Sequence, residues 1–258
     1  MLFPRIIACL LLKNNALYKT VKFSNPKYIG DPINAVRIFN EKKVDELIIL
    51  DIDATREQRQ PNFELIKKIS NECQMPLCYG GGISKIDEIH EIISLGVEKV
   101  SLATALIKNP TLVSEAAKVF GKQSIIAVID VKKRKFFNKY EIYLKNGSKN
   151  TNINPIEFVK KLEILGVGEI ILNSIDLDGT LQGYDIELIR KIKGSISVPL
   201  TVMGGASSYD DFINLFKNFS IIGAAAGSIF VLKGKYKAVL IQYPNQEEKE
   251  QILKNSYN

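Results

Sequence analysis

The sequence has 258 residues, of which 46% are hydrophobic and 24% charged, a composition that excludes disordered, collagen-like and coiled-coil chains. The length fits two ordinary domains or one large α/β barrel, and no apolar run approaches the roughly 18 residues of a transmembrane helix. The net charge of +7 indicates an anionic partner. Because the lysines are scattered and no nucleic-acid-binding motif is found, a phosphorylated or acidic small molecule is favoured over nucleic acid or a membrane.

Short apolar runs predict eight β-strands. In chain order they are 6–12, 46–52, 76–80, 99–103, 125–131, 169–175, 199–203 and 221–227. The first run could also be a brief signal peptide, but no small-residue cleavage site follows it, so a buried strand is favoured. Between the strands, apolar residues at i, i+3 and i+4 predict helices at 33–42, 63–72, 86–94, 111–120, 155–165, 186–192 and 209–216.

Near-continuous apolar strands that alternate with helices are typical of a parallel sheet covered on both faces. Eight such units match the usual length of a closed (β/α)8 barrel, about 250 residues. The alternative is an open, doubly wound sheet, which is disfavoured because no glycine-rich dinucleotide turn follows the first strand. We therefore predict an α/β fold, a single (β/α)8 TIM barrel over residues 1–258.

An internal repeat supports the barrel, since 5–13 aligns with 124–132 and 76–84 aligns with 199–208. The predicted division is into half-barrels at about 1–122 and 123–240, followed by a C-terminal tail at 244–258. Each half contributes four strand–helix units.

Two insertions follow strands, 14–30 after the first and 133–150 after the fifth, and the second contains an Asn-Gly turn typical of a hairpin. Both come after the carboxyl ends of strands, the face that carries the active site in such barrels. We expect each insertion to cover a bound substrate.

The repeat predicts two phosphate sites at the same face. Glycine lets backbone N–H groups approach an oxyanion, and a helix that follows adds partial positive charge. The first site combines Gly81, Gly82 and Thr104. The second contains Gly179, Thr180, Gly204, Gly205, Gly227 and Ser228. Glycine also serves tight barrel turns, but paired sites in paired half-barrels indicate a long substrate with a phosphate at each end.

Asp130 closes an otherwise apolar strand, where it is expected to face the barrel mouth and to act in general acid–base catalysis. Loop aspartates commonly cap the next helix, which is a sufficient explanation of Asp53. The sole histidine, His90, lies in a predicted helix and has no supporting residues nearby. The repeat aligns Leu11 with Asp130, so any mechanism that needs a carboxylate in both halves is compromised.

Four charged residues stand near the starts of strands, at the opposite end of the barrel: Arg5, Glu46, Lys99 and Glu169. Two cations and two anions can close a ring across the barrel floor. Such a ring is either a salt-bridge plug that stabilises the floor or a gate for a small neutral molecule, and the residues alone favour the plug.

The three cysteines are odd in number and lack CxxC spacing, so neither a disulfide framework nor a zinc site is predicted. A reducing, cytoplasmic location is favoured on this basis. No metal and no organic cofactor are predicted.

Several motifs point to one known family: RIIACL at 5–10, Lys19, GDP at 30–32, DELIILDIDAT at 45–55, YGGGI at 79–83 and GVGEIILNSIDLDGT at 166–180. Over roughly residues 3 to 235 the chain resembles the cyclase subunit of imidazole glycerol phosphate synthase. The resemblance implies a (β/α)8 barrel that accepts ammonia from a glutaminase subunit, a class I glutamine amidotransferase, docked at the N-terminal face. It also implies that the ammonia travels along the barrel axis to a bisphosphorylated substrate.

The resemblance implies a role for individual residues as well. It makes the charged ring an ammonia gate and Asp130 the catalytic acid–base, and it assigns substrate contacts to Lys19, Asp51 and Asp178. The chain departs from the family at three positions, because Leu11 replaces its first catalytic aspartate, Ala103 a phosphate-site asparagine and Met203 a serine. The ammonia route is therefore expected to be intact, and the chemistry of the first half to be altered.

This pattern is most similar to diverged paralogues that are associated with converting an acetamido sugar to an acetamidino sugar for surface-polysaccharide or nonulosonic-acid biosynthesis. Two alternatives stay open. The chain is the histidine-pathway cyclase, which forms imidazole glycerol phosphate and AICAR from PRFAR and ammonia, or it is a non-catalytic conduit that activates the glutaminase. A phosphosugar isomerase is a weaker option, because it has no use for an axial route.

Overall fold

A closed barrel of eight parallel strands forms the centre of the protein, whose computed structural model describes residues 3–134 and 139–257. The strands are β1 (Arg5–Lys13), β2 (Glu46–Asp51), β3 (Leu77–Gly80), β4 (Lys99–Leu102), β5 (Ile125–Arg134), β6 (Glu169–Ser174), β7 (Leu200–Met203) and β8 (Gly223–Ala226). Each strand pairs with the next in the chain, and β8 pairs back with β1, where Gly223 lies beside Arg5. The predicted (β/α)8 barrel is thus confirmed, and the first apolar run is a strand.

Helices surround the barrel. They are α1 (Pro32–Glu41), α2 (Phe63–Glu72), α3 (Ile86–Ser94), α4 (Thr104–Lys108), α5 (Thr111–Phe120), α6 (Pro155–Leu165), α7 (Ile186–Lys193), α8 (Tyr209–Phe219), α9 (Ser228–Val231) and α10 (Gln246–Tyr257). All seven predicted helices are present, while the short α4 and α9 were not predicted. Residues predicted only as a tail form α10, which packs against α8. No helix within the described ranges is long and apolar enough to cross a bilayer.

Side chains near the helix starts fix where several helices begin. The Asp31 carboxylate accepts a hydrogen bond from the backbone N–H of Asn34, and Pro32 occupies the first position of α1. Asp185 caps α7 in the same way through the N–H of Leu188. These caps satisfy N–H groups that have no partner within the helix.

Alternation along the strands separates two apolar regions. On β1, the side chains of Ile6, Ala8 and Leu10 point outward and pack against the helices, whereas Ile7 and Cys9 point into the barrel. Because successive residues of a strand face opposite sides, seven of the eight barrel strands contribute to both regions, and β4 contributes only to the outer one. The inward positions therefore form a stack from the barrel floor to its mouth.

Both predicted insertions form antiparallel hairpins at the barrel mouth. Strands Ala16–Val21 and Ser24–Gly30 pair with each other and with the end of β1. In the second insertion, Lys139–Leu144 pairs with the end of β5 and with Lys149–Asn150 around the Asn-Gly turn. Residues 135–138 of this insertion lie outside the described ranges.

The second hairpin is tied across the mouth, because the Asn146 side-chain amide donates a hydrogen bond of 2.9 Å to the Ile52 carbonyl. Its tip also faces the first hairpin, since a Cβ atom at Gly147 would lie 3.3 Å from the Phe23 ring. The two hairpin tips thus meet above the barrel mouth.

The core position of Phe212 on α8 gives a stability prediction. This ring is fully buried, and its centroid lies 6.1 Å from that of Phe230 and 6.4 Å from that of Tyr184. Phe212→Ala leaves a cavity, so we expect urea denaturation to show a loss of about 3–5 kcal/mol in unfolding free energy. Ile164→Ala is the control, because Ile164 is 85% exposed, and we expect a change within about 0.5 kcal/mol. A loss below about 1 kcal/mol for Phe212→Ala would contradict the packing described.

Candidate active site

The four charged residues at the barrel floor form a closed ring. Arg5 contacts Glu46 at 2.5 Å and Glu169 at 2.6 Å. Lys99 completes the ring with contacts of 2.7 Å to Glu46 and 3.0 Å to Glu169. The Thr201 hydroxyl donates a further hydrogen bond to Glu169 at 2.5 Å. Each carboxylate therefore touches both cations, as the strand positions predicted.

Burial and charge compete within this ring. Both carboxylates are about 95% buried, which by itself disfavours the charged state. Burial pushes the pKa of Glu169 upward, but the charges of Arg5 and Lys99 outweigh it and hold that pKa below its ordinary value. Burial likewise lowers the pKa of Lys99, but the charges of Glu169 and Glu46 outweigh this effect and raise that pKa above its ordinary value. Arg5, Lys99 and Glu169 are therefore charged near neutral pH.

Above the ring, the inside of the barrel is apolar. Its inward side chains are Ile7, Cys9, Ile48, Cys78, Ile126, Val128, Ile171, Met203 and Ala225. Burial raises the pKa of the Cys9 thiol to about 12, so this residue stays protonated and is not an activated nucleophile. This apolar bore separates the charged floor from the polar mouth.

A cavity opens at the mouth. Its wall includes Asp130 at the end of β5 and, at the equivalent place on β1, Leu11. Phe23 and Asn146 reach it from the two hairpins. All four side chains that were predicted to act in catalysis or substrate binding line this cavity: Lys19, Asp51, Asp130 and Asp178.

Asp130 has the electrostatics of a general acid–base. Burial raises the pKa of its carboxyl group to about 7, and the nearby charge of Asp178 adds to that rise. The Asn173 side-chain amide opposes it by donating a hydrogen bond of 2.9 Å to Asp130 Oδ1. A carboxyl group that titrates near neutral pH can both accept and donate a proton there.

Sequence reasoning missed Asn173, which lies on β6 directly beside Asp130 on β5. Its side chain is 6% exposed and lines the cavity. None of the described residues donates a hydrogen bond to its Oδ1 atom. A buried acceptor without a partner is costly, so this atom is available for an N–H or O–H group of a bound ligand. Asn173 follows the inward-facing Ile171 by two residues on β6, so the alternation of the strand could have identified it as inward-facing.

Lys19 and Asp178 form a buried ion pair with an Nζ–Oδ1 distance of 2.7 Å. Thr20 donates a second hydrogen bond to Asp178, at 3.1 Å. Lys19 and Thr20 belong to the first hairpin, whereas Asp178 follows β6, so the pair fixes the hairpin on the mouth. Both residues predicted to bind substrate thus also hold a wall of the cavity.

Asp51, and not Asp53, accepts hydrogen bonds from the backbone of the loop after β2. The Asp51 carboxylate accepts hydrogen bonds from the backbone N–H groups of Asp53 and Ala54 and lies 3.3 Å from Arg59. Asp53 does not cap a helix, because its buried carboxylate pairs with Lys13 at 2.6 Å and with Arg56 at 3.1 Å. The helix-cap explanation of Asp53 is therefore wrong, and Asp51 stabilises the loop as well as lining the cavity.

The predicted phosphate residues divide between two cavities. The mouth cavity is lined by Gly81, Thr104, Gly204 and Gly227. Gly179 and Ser228 line a second, adjoining cavity of about 910 Å³. Gly82, Thr180 and Gly205 line neither, and the Thr180 hydroxyl is bonded to the Leu177 carbonyl.

Close backbone contact explains some of these glycines without a ligand. A Cβ atom at Gly205, where φ is +113°, would lie 1.9 Å from the Gly183 carbonyl oxygen. Glycine is needed there for packing. In the described part of the chain, no group of three or more His, Cys, Asp or Glu side chains is arranged to hold a metal ion.

The Asn173–Asp130 hydrogen bond gives a prediction about pH. Asn173→Leu removes a donor that favours the charged carboxylate, so the pKa of Asp130 should rise above 7. NMR titration of the aspartate carboxyl carbons, with Asp130→Asn for assignment, measures this shift. Asn218→Leu, on the exposed side of α8, is the control and should leave the titration unchanged. An unchanged or lowered pKa in Asn173→Leu would show that the hydrogen bond does not tune Asp130.

Comparison with known proteins agrees with this architecture. The family described as "Histidine biosynthesis protein" matches residues 5–237. A protein of Vibrio vulnificus with the provisional name imidazole glycerol phosphate synthase subunit is 51% identical over 98% of this chain and 97% of its own. A similarly named Leptospira borgpetersenii protein is 52% identical over 98% of this chain and all of its own.

A Lactococcus lactis protein, named imidazole glycerol phosphate synthase subunit HisF without reservation, is 37% identical over 99% of this chain and 96% of its own. The matches extend over nearly the whole length of both partners, so they cover the floor, the bore and the mouth alike. The chain belongs to the histidine biosynthesis protein family and, within it, to the HisF-type subunits of imidazole glycerol phosphate synthase.

Proposed function

We propose that this chain is the ammonia-using synthase subunit of a glutamine amidotransferase complex and that it converts an acetamido group on a sugar to an acetamidino group. The observation that carries the proposal is the asymmetry of the mouth, with Asp130 at the end of β5 and Leu11 at the same place on β1. One acid–base group suffices to move protons during a nitrogen-for-oxygen exchange. Ring formation with cleavage needs more than one acid–base group, and the resemblance associates it with two aspartates.

The proposed reaction exchanges the oxygen of an amide for nitrogen. A separate protein first transfers a phosphoryl or nucleotidyl group from a nucleoside triphosphate to the acetamido oxygen. Ammonia then forms a bond to the acetamido carbon, the carbon–oxygen bond breaks, and the oxygen leaves as part of the phosphate or nucleotide. As a carboxylate, Asp130 takes a proton from the attacking nitrogen, and as an acid it returns one to the departing oxygen. The unpartnered Oδ1 atom of Asn173 accepts a hydrogen bond from an N–H group at the same point.

The proposed route for ammonia is the barrel axis. The ring, the apolar bore and the mouth cavity follow one another along the inward positions of the same strands. An apolar bore favours neutral ammonia over ammonium and water, because transfer of a charge into such surroundings is far more costly. Passage requires at least one ion pair of the ring to open, and Lys99, on a flexible four-carbon chain, is the residue best suited to move.

We place the glutaminase partner at the N-terminal face of the barrel. Exposed apolar side chains lie around the floor, just before a strand begins or at the last turn of a preceding helix: Phe3, Val119, Ile164 and Ile221. Exposed apolar residues that cluster around one face are typical of a protein interface. A partner on this face would deliver ammonia directly onto the charged ring.

A second candidate is the histidine-pathway cyclase, which acts on PRFAR. Gly81 and Thr104 lie in one wall of the mouth cavity and Gly204 and Gly227 in another, an arrangement that suits a substrate with a phosphate at each end. Identity does not separate the two candidates, because the relatives with provisional names (50–52% identical) and the unreservedly named ones (37–42%) all carry the name of this synthase. A non-catalytic conduit is the third possibility.

Nitrogen tracing tests the reaction. The chain, its glutaminase, amide-labelled glutamine and either PRFAR or an activated acetamido sugar are incubated together, and products are identified by mass spectrometry. We expect label in an acetamidino sugar, and Asp130→Asn should lower its formation about 10²- to 10⁴-fold while glutaminase activity survives. Label in imidazole glycerol phosphate would instead support the cyclase, and undiminished product from Asp130→Asn would support the conduit.

A charge on the floor surface tests the partner face. Ile164→Glu places a carboxylate on the proposed interface, so glutamine-dependent product formation should fall at least about tenfold. Formation from added ammonium salts should stay within about twofold, because that nitrogen does not depend on docking. Tyr236→Glu is the matched control, since Tyr236 is 88% exposed but belongs to the mouth end of the barrel. Equal losses in both variants would contradict the face assignment.

A further inference from the structure

We propose that the mouth cavity holds an acetamidinium group between Asp130 and Leu11, as the cationic end of the product that the proposed reaction forms. The inference rests on the proposed function for the origin of this group and extends it by naming what the cavity binds. Amidines are strong bases, so the group is positively charged at neutral pH. It is planar, with N–H donors along one edge and a methyl group at the other. A matching site needs an unpaired carboxylate, a free acceptor and an apolar wall.

Asp130 supplies the carboxylate. Among the described residues, no lysine or arginine forms a salt bridge with it, and the one charge that shifts its pKa is that of Asp178, which has the same sign. The other carboxylates of the cavity are already paired. Asp178 contacts Lys19 at 2.7 Å, and Asp51 lies 3.3 Å from Arg59. An ionised Asp130 therefore favours a ligand that brings its own positive charge.

Asn173 supplies the acceptor beside this carboxylate. It lies next to Asp130 in the register of β5 and β6, and its side-chain N–H group donates to Asp130 at 2.9 Å. Its Oδ1 atom is buried and accepts no hydrogen bond from the described residues. A Cβ atom at Gly204, which lines the mouth cavity, would lie 3.2 Å from this oxygen. An N–H group of a ligand bound to Asp130 would therefore satisfy an acceptor that otherwise has no partner.

The opposite wall of the cavity is apolar. In a closed barrel of eight strands, β1 and β2 lie across from β5 and β6. Leu11 on β1 lies beside Leu50 on β2, and both line the mouth cavity together with Ala103, which follows β4. All three side chains pack against the apolar bore beneath them. A methyl group that faces this wall is removed from water, whereas a polar group there finds no partner among these side chains.

The two walls together distinguish acetamidinium from ligands of similar shape. Guanidinium is also planar and positively charged, but an amino group replaces the methyl group. Its N–H donors would face Leu11 and Leu50 without an acceptor from either side chain. Acetamide keeps the methyl group but lacks the charge that pairs with Asp130. Only acetamidinium among these three matches both walls.

Methyl NMR titration of the full-length chain tests this inference. The leucine methyl groups are labelled, and Leu11→Met and Leu50→Met assign their signals. The probes are acetamidinium, guanidinium and acetamide at matched ionic strength and about pH 8, above the pKa of Asp130. We expect acetamidinium to shift the methyl signals of Leu11 and Leu50. It should bind at least about tenfold more tightly than either of the other probes.

Substitutions separate the contributions of the two walls. Asp130→Asn removes the negative charge and should weaken acetamidinium binding at least about tenfold. Leu11→Asn is similar in size but polar, so the preference for acetamidinium over guanidinium should fall below about threefold. Leu240→Asn is the matched control, because Leu240 is 47% exposed and does not line the mouth cavity. This control should keep the full preference.

No measurable binding of acetamidinium, equal affinity for acetamidinium and guanidinium, or shifts confined to other leucines would overturn the inference in the unaltered protein. An equal loss of preference in Leu240→Asn would do the same. The assay contains no glutamine, glutaminase or sugar, so a negative result leaves the nitrogen-tracing experiment untouched. Conversely, failure of nitrogen tracing would leave a positive binding result standing and would remove only the proposed origin of the group.

Discussion

The alternation of side chains along eight closed parallel strands is the constraint on which the rest of this structure depends. On β6, Glu169, Ile171 and Asn173 occupy successive inward positions, and they belong to the ring, the bore and the mouth in turn. On β5, Val128 belongs to the bore and Asp130 to the mouth. A shift of one residue in β5 or β6 would send a carboxyl group outward into the helix layer. Register therefore places the chemistry as well as the core.

The charged ring shows how a barrel can hold ions where water is scarce. Ion pairs with buried members are stable only when each charge keeps enough partners to offset the loss of hydration. Glu169 meets this condition with Arg5, Lys99 and the Thr201 hydroxyl. The four ion pairs also make the floor a barrier, because no charged residue can leave the ring without leaving another charge unpaired. A partner that binds at the floor could change this balance by offering replacement hydrogen bonds.

Much of this architecture was predictable because it is local or periodic. Strand and helix periods identified the eight barrel strands and seven of the helices, though not α4, α9 or α10. The positions of Arg5 and Glu169 at strand starts identified the ring. The ion pairs of Asp51 and Asp53 were not predictable, because they depend on where Lys13 and Arg59 reach in three dimensions. The second cavity, which adjoins the mouth, was missed for a similar reason.

Lys27 and Lys237 are separated by 210 residues, and only the contact between their hairpins brings them together. Nothing periodic in the sequence encodes such a contact. Asn173 is an intermediate case, since its inward position follows from the strand but its pairing with Asp130 requires the register between β5 and β6.

Leu11 and Asp130 occupy equivalent positions in the two half-barrels, and the difference between them bears on how a ligand would be oriented. A barrel with two like halves offers an elongated, two-ended molecule a pair of nearly equivalent poses, related by a half-turn about the axis. Leucine on one side and a titratable carboxyl on the other make these poses unequal in energy, because only one brings the polar reacting group to the acid. Under the proposed function, this difference between the two halves would select one direction of binding and disfavour an unproductive complex.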